Sequence, residues 1–390
     1  MDKINLRRKE IIFLSLSIFV FLLAIFLPKI FQEHYSKNES ASTIQALSTT
    51  TVPELVPSYI KTPEPLKGIY MTSWIASGKT EREKLVKLID ETEINSVVID
   101  IKDYSGKIVF TVTNPELKAY GSEEVRIKDL PDFIQILHAK GIYVIGRVAV
   151  FQDAYFVKFR PDLAIKNKAG TAVWKDRKGI SWIDAGSKEY WDYIILLAKE
   201  SHKIGFDEIN FDYVRFPSDG NMEDISFPFS TTTPKAIVLK GFFQYLHSHL
   251  ENSGLKISAD LFGMVTTSQN DMGIGQLLEN ALPYFDYIMP MVYPSHYGTN
   301  FQGFKNPEEH PYEVVKYAME TAVKRGRILA STTGQTVAQF RPWLQDFGLR
   351  MTYGPEEVKA QIKATNDVGL SSWILWSASN KYTKGALKTE

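Results

Sequence analysis

Residues 206–217 read FDEINFDYVRFP. Successive side chains of an extended chain point to opposite sides, so Ile209, Phe211 and Tyr213 share one face and Asn210 and Asp212 the other. An amphipathic stretch follows, PKAIVLKGFFQYLHSHLEN (234–252), and then a second apolar run, KISADLFG (256–263). It repeats the same logic, with Ile257, Ala259 and Leu261 on one face and Ser258 and Asp260 on the other. Strand, helix, strand at this spacing predicts parallel pairing. The two strands then present an aspartate each, on the same side and near the same end.

The pattern extends in both directions. Short β-branched or aromatic runs recur at 68–74, 96–101, 142–151, 208–214, 256–262, 284–293, 327–332 and 372–377. Between most of them lie helix-period stretches such as EREKLVKLIDETE, IKDLPDFIQILHAK, SKEYWDYIILLAKESHK, PYEVVKYAMETAVKR and GPEEVKAQIKATND. Eight strands over roughly 320 residues predict an α/β fold of the (β/α)₈ barrel type, residues 67–390, with an open doubly wound sheet as the runner-up. Neither GxGxxG nor GxxxxGK[ST] follows the first strand, so the nucleotide-binding version of that sheet has no support.

In a barrel the chemistry belongs at the C-terminal ends of the strands. Asp212 and Asp260 stand there on adjacent strands about 4.8 Å apart, which brings their carboxyls into the range used in glycoside hydrolysis. One carboxyl must be protonated and the other ionised, and burial beside a like charge separates two such pKa values. Asp100 and Asp103 end the second strand and Arg147 lies in the third. An arginine beside a nucleophilic carboxylate keeps it ionised and oriented. Arg215, Tyr293, His296 and Trp376 are the further candidates for sugar binding, and Trp74, Tyr104, Phe151, Tyr213, Tyr297 and Trp343 also lie at or just beyond strand ends. A buried structural ion pair is the competing reading for the charged groups, and core packing for about half of the aromatic ones.

The 390 residues carry 45 basic and 45 acidic side chains, so nothing draws the chain to nucleic acid. With no cysteine there can be no disulfide, thiol nucleophile, iron–sulfur cluster or cysteine zinc site. Nothing around His296 supplies the HxH or HExxH spacing of a metal site, and neither a metal nor a cofactor is expected. Residues 1–10 form a basic tail, and the uncharged run 11–27 plus its flank to Phe31 is long enough to span a bilayer. The sequence thus predicts a cytoplasmic tail (1–10), a single signal anchor (11–31), a Ser/Thr/Pro-rich linker (32–66) and an extracytoplasmic barrel. A cleaved signal peptide is the alternative for 11–31.

The ordered set KGIYMTSW, NSVVIDIKDYSGK, GIYVIGRVAVFQD, FDEINFDYVRFPSDG, ISADLFG, DYIMPMVYPSHY, RPWLQDF and SSWILWSASNKYT resembles a bacterial family of glycoside hydrolases of uncharacterised specificity, over residues 67–383. The resemblance implies a glycosidase-type barrel on an exported, often membrane-tethered chain. Chitinase-type barrels carry a strand similar to FDGIDIDWEYP, ending in the glutamate that protonates the glycosidic oxygen. Here Asp207 and Asp212 match its aspartates, Asn210 replaces another, and Val214 occupies the place of the acid. Valine cannot donate a proton, so that substrate-assisted chemistry is not expected. Amylase-like barrels offer the other likeness, an Asp nucleophile on strand four and an acid on strand five, which Asp212 and Asp260 resemble. The expected function is hydrolysis of an envelope or extracellular polysaccharide, with Asp212 as nucleophile or base and Asp260 as acid. The alternative is a carbohydrate-binding or scaffold protein without catalysis.

Overall fold

The computed structural model describes residues 56–389. The expected anchor at 11–31 and most of the expected linker lie outside them. Among the described residues no helix is long and apolar enough to cross a membrane.

Nine parallel strand segments close into one barrel: β1 (Lys67–Met71), β2 (Ser96–Lys102), β3 (Tyr143–Ala149), β4 (Glu208–Asp212), β5 (Lys256–Phe262), β6 (Tyr287–Met291), β7 (Gln339–Phe340), β8 (Trp343–Gln345) and β9 (Trp373–Trp376). Neighbours in sequence pair in register around the ring, and β9 returns to β1. β7 and β8 share the seventh of eight positions, since both pair with β6. The break between them falls at Arg341–Pro342, where proline has no N–H to donate to a ladder.

The strand expected at 327–332 is instead the last part of a 23-residue helix, Pro311–Thr333. RILAST has strand-like composition, but Gly326 does not break the helix. It is where the helix comes nearest the sheet: a Cβ there would meet the Phe340 ring at 3.2 Å. The helix stops at Gly334, whose left-handed φ of 68° returns its N–H to Ala330. The seventh position is therefore built from AQFRPWLQDF (338–347), and Trp343 becomes an inner residue.

Residues of alternate parity fill the barrel in layers. At the floor Arg341 donates to Glu208 at 2.9 and 3.1 Å and lies 3.7 Å over the Tyr287 ring. Val98, Ile145, Met289, Trp343 and Ile374 pack above it. Charge reappears only in the top layer. Residues 56–66, the end of the stretch expected to be linker, run across the floor: Ile60 N donates to Asp207 Oδ1 at 2.9 Å, and Ser58 Oγ lies 2.9 Å from His138 Nδ1. Asp207 also binds the Val144 amide and His138 Nε2, both at 2.8 Å, so it fastens this segment at the end opposite Asp212.

Candidate active site

Arg147, on the inner face of β3, organises the top layer. Its Nη1 donates to Asp100 Oδ1 at 2.7 Å, and its Nε and Nη2 both donate to Asp212 Oδ2, the former at 3.1 Å. The same Nε lies 4.0 Å from Asp260 Oδ2. Three strands thus deliver three carboxylates to one guanidinium, as the alternation in β2, β4 and β5 requires. Because Asp212 Oδ2 and Asp260 Oδ2 flank one nitrogen, they are at most about 7 Å apart, within the span over which paired carboxyls cleave glycosides.

The two aspartates meet different surroundings. Asp260 is 2% exposed, and its Oδ1 accepts from Asn210 Nδ2 at 2.9 Å and Trp343 Nε1 at 2.7 Å. Burial, and then the charge of Asp212, push its pKa well above the usual carboxylate range, more than Arg147 and these two donors pull it down. With Oδ1 occupied by two N–H groups, Oδ2, the oxygen facing Arg147 and Asp212, is the one left to carry a proton. Asp212 accepts the paired guanidinium on Oδ2 and the Tyr213 amide on Oδ1 at 2.6 Å. Tyr213 itself adopts a left-handed φ of 53°, uncommon for a bulky residue and held here by the turn that leaves β4 beneath the mouth.

Asp260 gives a stability prediction whose sign is fixed. A carboxyl with a raised pKa keeps in the fold a proton that the unfolded chain has released. Its contribution is complete below the ordinary carboxylate range of about 4 and is lost as pH rises toward the raised value. Asp260→Asn imitates the neutral form and keeps an acceptor for Asn210 and Trp343. The variant is expected to gain stability relative to wild type as pH increases from 4 to 8, read from urea melts across that range. A pH-independent gap would show that Asp260 does not hold the proton.

Asp100 completes the group, with Oδ2 accepting from Tyr70 Oη at 2.6 Å. Burial raises its pKa as well, partly offset by Arg147. The Tyr70 ring stacks on Trp376 at 4.1 Å, and the Arg147 guanidinium lies 5.6 and 5.4 Å from these two rings. Tyr293 borders the carboxyls: burial, then Asp260 and Asp212, keep its hydroxyl protonated. Its ring leads outward to His296 at 5.4 Å and to Phe347 at 5.6 Å, and His296 is exposed at the rim.

Asp103 stands apart from this cluster. It pairs with Arg126 at 2.6 Å and with Ser105, and the Arg126 guanidinium lies 4.4 Å from the centre of the exposed Trp74 ring. Arg215 also contacts none of the three aspartates; it lies between Trp182, Tyr213 and Phe262. Lys102 would follow Asp100 inward by alternation, but a bulge between the two turns it out of the barrel. There it pairs with Asp153 at 2.8 Å, fully buried. Phe151 and Tyr297 are core, whereas Tyr104 is exposed.

Tyr70, Trp343 in its contact with Asp260, and Trp182 were not picked out as site residues from the sequence. The alternation of KGIYMTSW already turns Tyr70 inward with Gly68, a signal that was readable. The contact of Trp343 with Asp260 was obscured because the seventh strand is expected at 327–332, whereas β8 spans Trp343–Gln345.

A groove of 1220 Å³ opens at the other end of the barrel, lined by Tyr59, Lys61, His247, Glu251, Lys256 and Asp286 among others. Its ionisable groups do not converge as those around Arg147 do. The top-layer cluster is therefore singled out by its chemistry and not by the size of its opening.

Several comparisons bear on this barrel. A hypothetical protein from Ruminiclostridium thermocellum is 32% identical over 49% of this chain and 96% of its own, with a TM-score of 0.45. The glycoside hydrolase domain of PgaB (BpsB) from Bordetella bronchiseptica superposes with a TM-score of 0.51 at 12% identity, covering 80% of this chain and 94% of that one. The alpha-galactosidase TtGalA from Thermus thermophilus gives 0.51 at 12% identity over 83% of this chain and 60% of its own. At such identities the last two likenesses speak for the barrel fold alone. No curated protein matches the chain. The model of the family described as "putative glycosyl hydrolase domain" matches residues 68–382, from the first strand to beyond the last, and the chain belongs to that family.

Proposed function

We propose that the barrel hydrolyses the glycosidic bonds of a polysaccharide at or outside the cell envelope, with Asp260 as acid and Asp212 as nucleophile or base. One observation carries the reading: two carboxyls flank the same arginine nitrogen, one buried with its pKa pushed up, the other hydrogen-bonded by the guanidinium. Asp260 Oδ2 gives its proton to the glycosidic oxygen as the bond to the anomeric carbon breaks. Asp212 either attacks that carbon or takes a proton from the attacking water. Arg147 keeps the Asp212 lone pairs aimed, and Tyr70, Trp376 and Tyr293 offer flat apolar surfaces to the C–H faces of a sugar ring. The apolar run at 11–31 supports a membrane anchor with the barrel outside; protease shaving of intact cells should then remove the barrel, and protection would refute that placement.

The direct assay is release of reducing ends from a panel of envelope and exopolysaccharides. Saturable binding with no release across the panel would favour a carbohydrate-binding scaffold. That second reading draws on the near-complete burial of Asp260. Trp376→Ala should raise KM about tenfold or more with little change in kcat, because stacking on a half-buried indole serves binding rather than bond cleavage. An unchanged KM would remove Trp376 from the sugar subsites.

A further inference from the structure

We infer that Arg215 binds a carboxylate carried by the sugar, so that the substrate is a uronate-bearing, acidic polysaccharide. The inference rests on the glycosidase reading above and adds the substrate class to it.

Arg215 follows β4 by three residues and is 9% exposed. Its guanidinium lies 4.8 Å from the ring centre of Trp182, 5.3 Å from Tyr213 and 4.7 Å from Phe262. Phe262 stands two residues beyond Asp260 on β5, hence on the same inward side and one step closer to the opening. Arg215 thereby lies at the end of the barrel that carries the two aspartates.

The three other cations already described at this end are matched. Arg147 has Asp100 and Asp212, Arg126 has Asp103 and Glu124, and Lys102 has Asp153. Among the described residues no carboxylate reaches Arg215 at ion-pair distance. Its Nη1 donates to the Phe216 carbonyl at 3.1 Å and the Ser218 hydroxyl at 3.2 Å. For Nε and Nη2 the described residues supply no acceptor, and neither atom is sealed from solvent. From beyond ion-pair distance the charges of Asp212, Asp219 and Asp176 act on Arg215, and Asp176 is already saturated. Its Oδ1 accepts from the Lys178 and Ile180 amides and its Oδ2 from Gln152 and Trp182.

An unpaired cation enclosed by three aromatic rings is costly, and desolvation pulls the Arg215 pKa down accordingly. The two open N–H groups, on Nε and Nη2, form the parallel fork that fits both oxygens of a planar carboxylate. A uronic acid presents such a group beside a ring whose C–H faces suit the partly exposed Tyr213 and Phe262 rings. Of the carboxylates in the top layer, Asp212 and Asp100 are engaged by Arg147, and Asp260 Oδ1 by Asn210 and Trp343.

The test is affinity electrophoresis of the full chain through gels holding alginate, polygalacturonate or hyaluronan, each beside its carboxyl-reduced, neutral form. Wild type should be retarded by at least one acidic polymer and bind its reduced form about tenfold or more weakly. Arg215→Gln should erase that difference, and Arg215→Lys, which keeps the charge without the fork, should restore it only in part. Equal retention by acidic and reduced forms, a preference that persists in Arg215→Gln, stronger retention by dextran sulfate than by any carboxylated polymer, or no retention at all would overturn the inference. Reducing-end release from a neutral glycan that is lost in Asp212→Asn but unaffected by Arg215→Gln would overturn it and leave the hydrolase reading standing. Neither release nor retention on any polymer would remove both.

Discussion

Asp212→Asn is expected to lower reducing-end release by on the order of 10³-fold or more while the protein still unfolds in one cooperative transition. The amide can neither attack an anomeric carbon nor accept a proton from water, and no second carboxylate in the mouth can replace it. Burial pushes the Asp260 pKa well above the usual carboxylate range, and Asp100 is occupied by Arg147 and Tyr70. The fold should survive because the change is nearly isosteric. The Asn oxygen can still accept from Arg147, but its Nδ2 then faces the Tyr213 N–H, donor against donor, so one of the present hydrogen bonds is lost. That costs about 1–3 kcal/mol, a fraction of a domain's stability. Thermal melts beside the activity assay check both halves, and undiminished release would take Asp212 out of the mechanism.

The second large effect concerns stability. Arg147→Met should destabilise the barrel by about 3–5 kcal/mol, since it strands Asp100 and Asp212 in a buried layer without their shared cation. The carboxyls would respond by taking up protons, so the loss should be greatest at alkaline pH and shrink toward pH 4. Urea melts at several pH values measure this. A double variant, Arg147→Met with Asp100→Asn, should recover part of the loss by removing one stranded charge. A loss that does not vary with pH would mean that Arg147 acts through packing on Tyr70 and Trp376 alone.

Most of the barrel was readable because its strands are apolar runs bounded by helix-period stretches, and seven of the eight positions were assigned on that signal. The seventh failed for a specific reason. Its two segments, Gln339–Phe340 and Trp343–Gln345, are too short for a periodic signal and are split by Pro342, while RILAST has the β-branched composition of a strand at the end of a helix. Alternation correctly turned Asn210, Asp212, Ser258 and Asp260 inward, since within a regular strand parity alone fixes the face. Parity could not reveal the bulge that removes Lys102, nor the way loops carry Asp103 to Arg126 and Arg215 to Trp182. Those placements depend on long-range contacts: Arg126 lies 23 residues beyond Asp103, and Trp182 belongs to the long loop after β3.

The most direct test of a carboxylate-pair hydrolase is glycan cleavage in H₂¹⁸O, with products reduced at once to alditols to prevent oxygen exchange and then weighed by mass spectrometry. The account predicts one ¹⁸O atom in each newly formed reducing end with wild type, and no such product with Asp212→Asn. Cleavage without ¹⁸O, leaving an unsaturated end, would show elimination instead of hydrolysis. Binding with no product on any glycan would contradict catalysis at this pair altogether.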